Sequence, residues 1–147
     1  NMERSNKGRS IPLETFSTLL DNNEFSMLSL QKGFGSEQLS TCAHLDSFVQ
    51  SQEQINQTLD FEETSAIIAN CDLIITSDTS MAHLAGAMGK PTFLLLKNVP
   101  DWRWGIGADK TFWYPNMLLI RQTTPGNWNE MMYRVYHKLK DYFSFKD

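Results

Sequence analysis

Two apolar runs, LIIT at residues 73–76 and TFLLL at residues 92–96, enclose the fifteen residues SDTSMAHLAGAMGKP. This arrangement constrains the fold more than any other feature of the chain. Each run is short and bounded by polar or turn-forming residues. Each therefore reads as a strand buried on both faces, the usual state of a strand in a parallel sheet. The small residues between them read as a helix over 80–88, closed by Gly89 and followed by Pro91, which cannot continue it. A strand, a helix and a second strand in so few residues form a crossover unit, and such crossovers are right-handed and join parallel strands.

The remaining elements extend this pattern. A helix is expected from Pro12, with Leu13, Phe16 and Leu20 on one face. The alternation in EFSMLSL predicts a strand at 24–30, followed by the glycine-bearing loop QKGFGSEQ and a short helix towards His44. Residues 47–59 are polar and glutamine-rich and read mostly as loop, whereas 61–70 reads as helix. A long aromatic loop follows TFLLL, then one more strand at 117–120. In the last helix Asn127 is the cap, Glu130 lies three residues on, and Trp128, Met131, Met132, Val135, Tyr136 and Leu139 form its apolar face. Alternating strands and helices make an α/β fold with a Rossmann-like parallel sheet flanked by helices. A length of 147 residues suits a single domain over 1–147.

Composition narrows the function. A formal net charge of -4 leaves no broad basic surface for a nucleic acid. No apolar run approaches the ~20 residues that span a bilayer. The polar residues 1–10 lack the apolar segment of a secretory signal. Cys42 and Cys71 fit no metal-ligand spacing and read as reduced thiols of a cytoplasmic protein. No Asp-x-Asp pattern offers to hold a metal.

The chemistry concentrates where the first buried strand ends. In open α/β sheets ligands bind outside the carboxyl ends of the strands. The helix that starts at Ser80 points its unpaired N–H groups back at that end, which makes an anion site. Thr79 and Ser80 add hydroxyl donors, and His83, one turn in, adds an imidazole N–H. Asp78 repels an anion and suits a helix cap or an acceptor for sugar hydroxyls. Ala82, Ala85, Gly86 and Ala87 keep the helix thin enough to approach the sheet closely. The competing reading is that Asp78, Thr79 and Ser80 are plain caps and His83 a structural histidine. In the aromatic loop, Trp102, Trp104, Trp113 and Tyr114 can stack on a base or sugar face, form a small core of their own, or make a seam with another domain. Asp101 and Arg103 can pair.

The segment DLIITSDTSMAHLAGAMGKPTFLLL resembles the donor-binding segment of heptosyltransferase-like enzymes. With GRSIPLETF, SLQKG, DFEETSAIIANCDLIITSDTSMAHLAGAMGKP, PDWRWG, WYPNM and RQTTPGNW in order, the chain resembles the carboxyl-terminal glycosyltransferase domain found behind tetratricopeptide repeats in bacterial proteins. The resemblance implies the second half of a GT-B fold, which binds a nucleotide-sugar donor and needs no metal or other cofactor. It carries the family's Asp-Thr-(Gly or Ser)-x-x-His pattern onto Asp78, Thr79, Ser80 and His83, with Ser80 where heptosyltransferases prefer glycine. It implies that Arg9, with Lys7 close by, contacts donor phosphate, although a solvated loop cation is the commoner fate of such residues. Lys32, Gln31 and Glu37 become candidates for phosphate or nucleoside contacts, against a plain role in turn solubility. Arg103 can reach phosphate, and Trp102 can stack on the ligand.

The same resemblance implies that the domain's first strand, the acceptor-binding half and the catalytic base lie outside these residues, so that this fragment is inactive alone. The alternative is a non-catalytic nucleotide- or sugar-binding or protein-interaction module of a tetratricopeptide-repeat protein. A nucleotide-sugar epimerase shares the architecture, but those carry a Ser-Gly-Gly-type phosphate turn followed by acidic residues, and DTSMAH has neither.

Overall fold

A computed structural model describes residues 8–21, 24–58 and 60–144. A 3-10 turn at Leu13–Phe16 leads into α1 (Ser17–Leu20). Further 3-10 turns at Ser36–Thr41 and Leu45–Ser47 precede α2 (Gln52–Asn56) and α3 (Phe61–Asn70). Then follow β1 (Ile74–Ser77), α4 (Ser80–Ala87), β2 (Thr92–Leu96), a 3-10 turn at Trp102–Trp104, β3 (Met117–Arg121) and α5 (Trp128–Ser144). The chain forms two compact units. One comprises Asn1–Ile11 and Ser65–Met131, the other Pro12–Thr64 and Met132–Asp147, so α3 and α5 each run from one unit into the other. Among the described residues no helix is long and apolar enough to cross a membrane.

The first unit holds the expected parallel sheet, in the order β1-β2-β3. Ile74 to Ser77 pair with Thr92 to Leu95, and Thr92 to Leu96 pair with Met117 to Arg121. The fold is therefore the α/β, Rossmann-like one. One expectation fails in detail. Only β2 is buried throughout, whereas β1 buries Ile74 and leaves its other residues half-exposed. The reason is position: β2 lies between two neighbours, while among the described residues β1 pairs with a strand on one side only. Ala82, Leu94, Leu96, Trp104, Met117 and Leu119 make one core cluster, with Tyr114 packed against it. Each leucine so buried contributes about 1.5–3 kcal/mol.

Helix α4 ends as its sequence requires. Gly89 takes φ of 68°, its N–H reaches Gly86 O at 3.0 Å, and Lys90 N reaches Ala85 O at 3.0 Å. These two bonds form a Schellman motif, in which a left-handed residue satisfies the last carbonyls of the helix. Lys90 then donates from Nζ to Cys71 O at 2.7 Å. Burial pushes the Cys71 thiol above its ordinary range, although the nearby Lys90 charge opposes this.

In the second unit the strand expected at 24–30 does not form. Met27 makes a single parallel bridge to Phe48. At Ser29 the partner is a side chain: Ser29 N donates to Gln52 Oε1 at 2.8 Å, and Gln52 Nε2 donates back to Ser29 O at 2.9 Å. The buried Gln52 amide thus replaces the next backbone rung, and extension of a ladder stops there. Gln52 belongs to α2, a helix within the stretch expected to be mostly loop. The first helix begins as a 3-10 turn and buries Thr15, Leu19 and Leu20. The final helix follows expectation in its cap, Glu130 N donating to Asn127 Oδ1 at 3.1 Å, and in the burial of Trp128, Met131, Met132, Val135 and Leu139. Tyr136, expected on the same face, is only half-buried and donates its hydroxyl to Glu24.

Leu94→Ala should lower unfolding free energy by about 2–5 kcal/mol, because it opens a cavity at the centre of the sheet. Gly89→Ala should cost about 1–2 kcal/mol through left-handed strain alone. Urea denaturation followed by circular dichroism measures both.

Candidate functional site

The turn between β1 and α4 lies at the carboxyl end of the sheet. Thr79 stands at the N-cap of α4 with φ of -136° and ψ of 175°, yet its side chain caps nothing. Its hydroxyl lies 3.2 Å from that of Thr76 instead. Ala82 N bonds to Thr79 O, but the amides of Thr79, Ser80 and Met81 have no hydrogen-bond partner among the described residues. Thr79 and Ser80 are exposed. Unpaired N–H groups at a helix start carry partial positive charge. The plain-cap reading of this turn is therefore not the arrangement observed.

Asp78 is buried. Its carbonyl oxygen accepts from Arg9 Nη1 at 3.0 Å. Among the described residues its carboxylate makes no hydrogen bond to the helix amides, so it is no cap. Arg9 and Asp78, distant in sequence, therefore meet at this turn, and Lys97, Pro100 and Asp101 line the same small cleft. The cleft holds about 10 Å³, roughly the space of one water. Lys7, the other basic residue of this segment, lies outside the described residues.

His83 projects from α4 into the aromatic loop. Its Nδ1 lies 2.9 Å from Tyr114 Oη. Its ring stacks on Trp104 with centroids 5.5 Å apart and an interplanar angle of 24°, and meets Tyr114 edge-on at 5.8 Å. Its Nε2 has no hydrogen-bond partner among the described residues. The small residues of α4 divide their work differently from expectation. Ala82 and Ala85 are wholly buried, and Ala87 is exposed. Gly86 faces Tyr114 rather than the sheet: a Cβ there would lie 2.5 Å from Tyr114 Cγ.

The loop that supplies Trp104 and Tyr114 is tied down at several points. Asp101 Oδ1 accepts from Arg103 N at 3.1 Å and lies 3.4 Å from Arg103 Nε, which forms the expected pair. Trp113 Nε1 donates to Arg103 O at 3.2 Å. From the end of β3, Arg121 Nη2 donates to Trp104 O at 2.7 Å and to Ala108 O at 3.1 Å. Partial burial lowers the Arg121 pKa. Trp104 is 3% exposed, and its indole N–H has no partner among the described residues. Trp102, by contrast, is 77% exposed, with the Arg103 guanidinium 6.0 Å from its ring. Phe112 and Ile106 are also exposed. One tryptophan of this loop thus joins the core while others face outward.

In the second unit the remaining candidates serve their own turns. Gln31 Nε2 donates to Phe34 O at 2.9 Å. Glu37 Oε2 accepts from Gly35 N at 2.8 Å. Lys32 follows no strand; its Nζ donates to Ile55 O at 2.5 Å, in the last turn of α2. Among the described residues no group of three or more His, Cys, Asp or Glu side chains is placed to hold a metal ion.

A parallel α/β sheet with an open helix start at its carboxyl end is the architecture of proteins that bind anionic cofactors and substrates. The sequence pattern of glycosyltransferase family 9 (heptosyltransferase) matches residues 34–111, more than half of the chain, and the chain belongs to that family. Protein FlbA of Caulobacter vibrioides is 26% identical to it over 132 residues, which are 89% of this chain and 22% of FlbA. The chain thus spans less than a quarter of that relative's length. No solved structure matches it significantly.

Tyr114 and Trp104 are the residues that sequence reasoning left without a place beside His83. The signal was present in the aromatic clusters of PDWRWG and WYPNM, but nothing in those clusters says which rings turn inward. Gly86→Ala should destabilise the chain by about 1–3 kcal/mol, since the Tyr114 ring must be displaced. The gain in helix propensity, about 1 kcal/mol, offsets part of this. Chemical denaturation gives the stability, and the near-ultraviolet dichroism of the aromatic cluster should change with it.

Proposed function

We propose that this chain is the nucleotide-sugar donor-binding half of a GT-B glycosyltransferase, a single functional domain over 1–147. The diphosphate lies at the start of α4. The observation that carries this reading is the set of unpaired amides at Thr79, Ser80 and Met81, just past the carboxyl end of β1. Thr79 and Ser80 add hydroxyls, His83 an imidazole donor, and Arg9 and Lys97 positive charge nearby. Asp78, with its carboxylate unengaged by the helix, accepts from sugar hydroxyls. Membership of glycosyltransferase family 9 supports the reading.

The chemistry follows from charge. When the anomeric carbon leaves a nucleoside diphosphate, negative charge grows on the departing phosphate. Preorganised N–H groups, hydroxyls and cations aimed at that position stabilise the transition state more than the ground state. In this reading the acceptor half and the base lie elsewhere in a longer protein, one that also carries tetratricopeptide repeats. We place it in the cytoplasm, a reducing compartment in which Cys42 and Cys71, both unpaired, stay as thiols.

Two observations favour a second reading. The cleft beside Arg9 and Asp78 holds about 10 Å³, roughly the space of one water, and Trp102, Ile106 and Phe112 are exposed on the adjoining loop. A non-catalytic module that binds another protein through this loop fits those two facts. Titration calorimetry with ADP, UDP, GDP and CDP separates the readings. A donor site binds at least one of them, and Thr79→Ala and His83→Ala each weaken that binding about tenfold, the loss of a charge-assisted hydrogen bond. No binding to any nucleotide favours the module.

A further inference from the structure

We propose that Tyr114 is a positioning residue for His83: its phenol donates to Nδ1 and so fixes the imidazole as the tautomer that carries its proton on Nε2. The proposal deepens the donor-site reading and rests on it for its functional meaning.

Two residues constrain the ring through three contacts. The Tyr114 hydroxyl is 2.9 Å from Nδ1. Trp104 lies nearly parallel to the imidazole at 5.5 Å, and the edge of the Tyr114 ring meets it at 5.8 Å. Each of these neighbours is itself held. Gly86 follows His83 by three positions and so shares its face of the helix. Having no side chain there, it lets the Tyr114 ring seat where a Cβ would come within 2.5 Å. Arg121 fixes the other wall through its 2.7 Å bond to Trp104 O.

The direction of the bond follows from the chemistry of the two groups: a phenol is the stronger hydrogen-bond donor and the unprotonated nitrogen of a neutral imidazole the stronger acceptor. A neutral imidazole has one N–H and one acceptor nitrogen. Among the described residues, Nδ1 of His83 is the only partner of the Tyr114 hydroxyl. Either direction leaves one proton without a partner among the described residues, the phenol's or that of Nε2, so the stronger donor–acceptor pairing decides. With the phenol donating, its proton is used, Nδ1 supplies the acceptor, and the imidazole proton must reside on Nε2. That nitrogen has no described partner and becomes a directed donor. An imidazole oriented through its second nitrogen is a common way of setting the first. The opposite arrangement would leave Nε2 as a lone pair, which repels a phosphate oxygen.

Nitrogen-15 NMR of the imidazoles in the 147-residue chain, at a pH of about 8 where histidine is neutral, reads this directly. The expected spectrum shows His83 with a protonated Nε2 and an unprotonated, hydrogen-bonded Nδ1. In Tyr114→Phe, which keeps the ring on Gly86 and the fold, the Nδ1 resonance should move to that of a nitrogen without a donor. Gly86→Ala, which displaces the ring instead of deleting the hydroxyl, should shift it in the same sense. Inorganic pyrophosphate should bind Tyr114→Phe about fivefold more weakly than the unaltered chain, the effect of losing one hydrogen bond. A proton found on Nδ1, or a His83 spectrum unchanged in Tyr114→Phe, overturns the proposal. Failure of the unaltered chain to bind any pyrophosphate or nucleotide counts against the donor site alone, because the nitrogen spectra still decide the role of Tyr114.

Discussion

The contact on which the rest depends is the close approach of α4 to the parallel pair β1 and β2. Ala82 and Ala85 are fully buried there. A larger side chain at either position would lift the helix from the sheet. That seating fixes where the helix begins, and so where its first amides point. It also fixes where the helix ends: the left-handed Gly89 turns the chain, and Lys90 and Pro91 lead into β2. One helix thus joins the most buried strand of the sheet to its most open turn.

The second layer of organisation is the aromatic loop. It is long and has little regular structure, yet it is not loosely held. Arg121 ties its backbone to the end of β3, and Leu119 N bonds to Asp109 O at 2.7 Å. Asp101 caps its short 3-10 turn. These bonds satisfy main-chain groups that would otherwise be stranded. They also decide which rings turn inward. Trp104 enters the core against Ala82 and Leu96, Tyr114 packs on Gly86, and Trp102 and Phe112 stay in solvent. His83 therefore lies in a walled position, while Thr79 and Ser80 lie in an open one.

Much of this was legible in the chain. The helix at residues 61–70, the three strands, the glycine stop and the Asn127 cap all followed from local patterns, because each depends on residues a few positions apart. The open turn at the carboxyl end of β1 followed from topology. What failed was non-local. EFSMLSL alternates as a strand should, but a strand needs a partner, and the Gln52 side chain took that place at Ser29. Lys32 was expected at a strand end and instead caps α2 through Ile55 O. Neither outcome is encoded in the spacing of the residues concerned.

The sequence by itself determined the parallel α/β class, the start and stop of α4 and the polar content of the turn before it, since periodicity, glycine and proline act over short distances. Only the tertiary structure decided that Arg9 reaches Asp78, that the Gln52 side chain pairs with Ser29, and that Gly86 serves a tyrosine ring. These pairings join residues far apart in the chain. Their partners are chosen by which surfaces the packed core leaves adjacent, a quantity no local pattern contains.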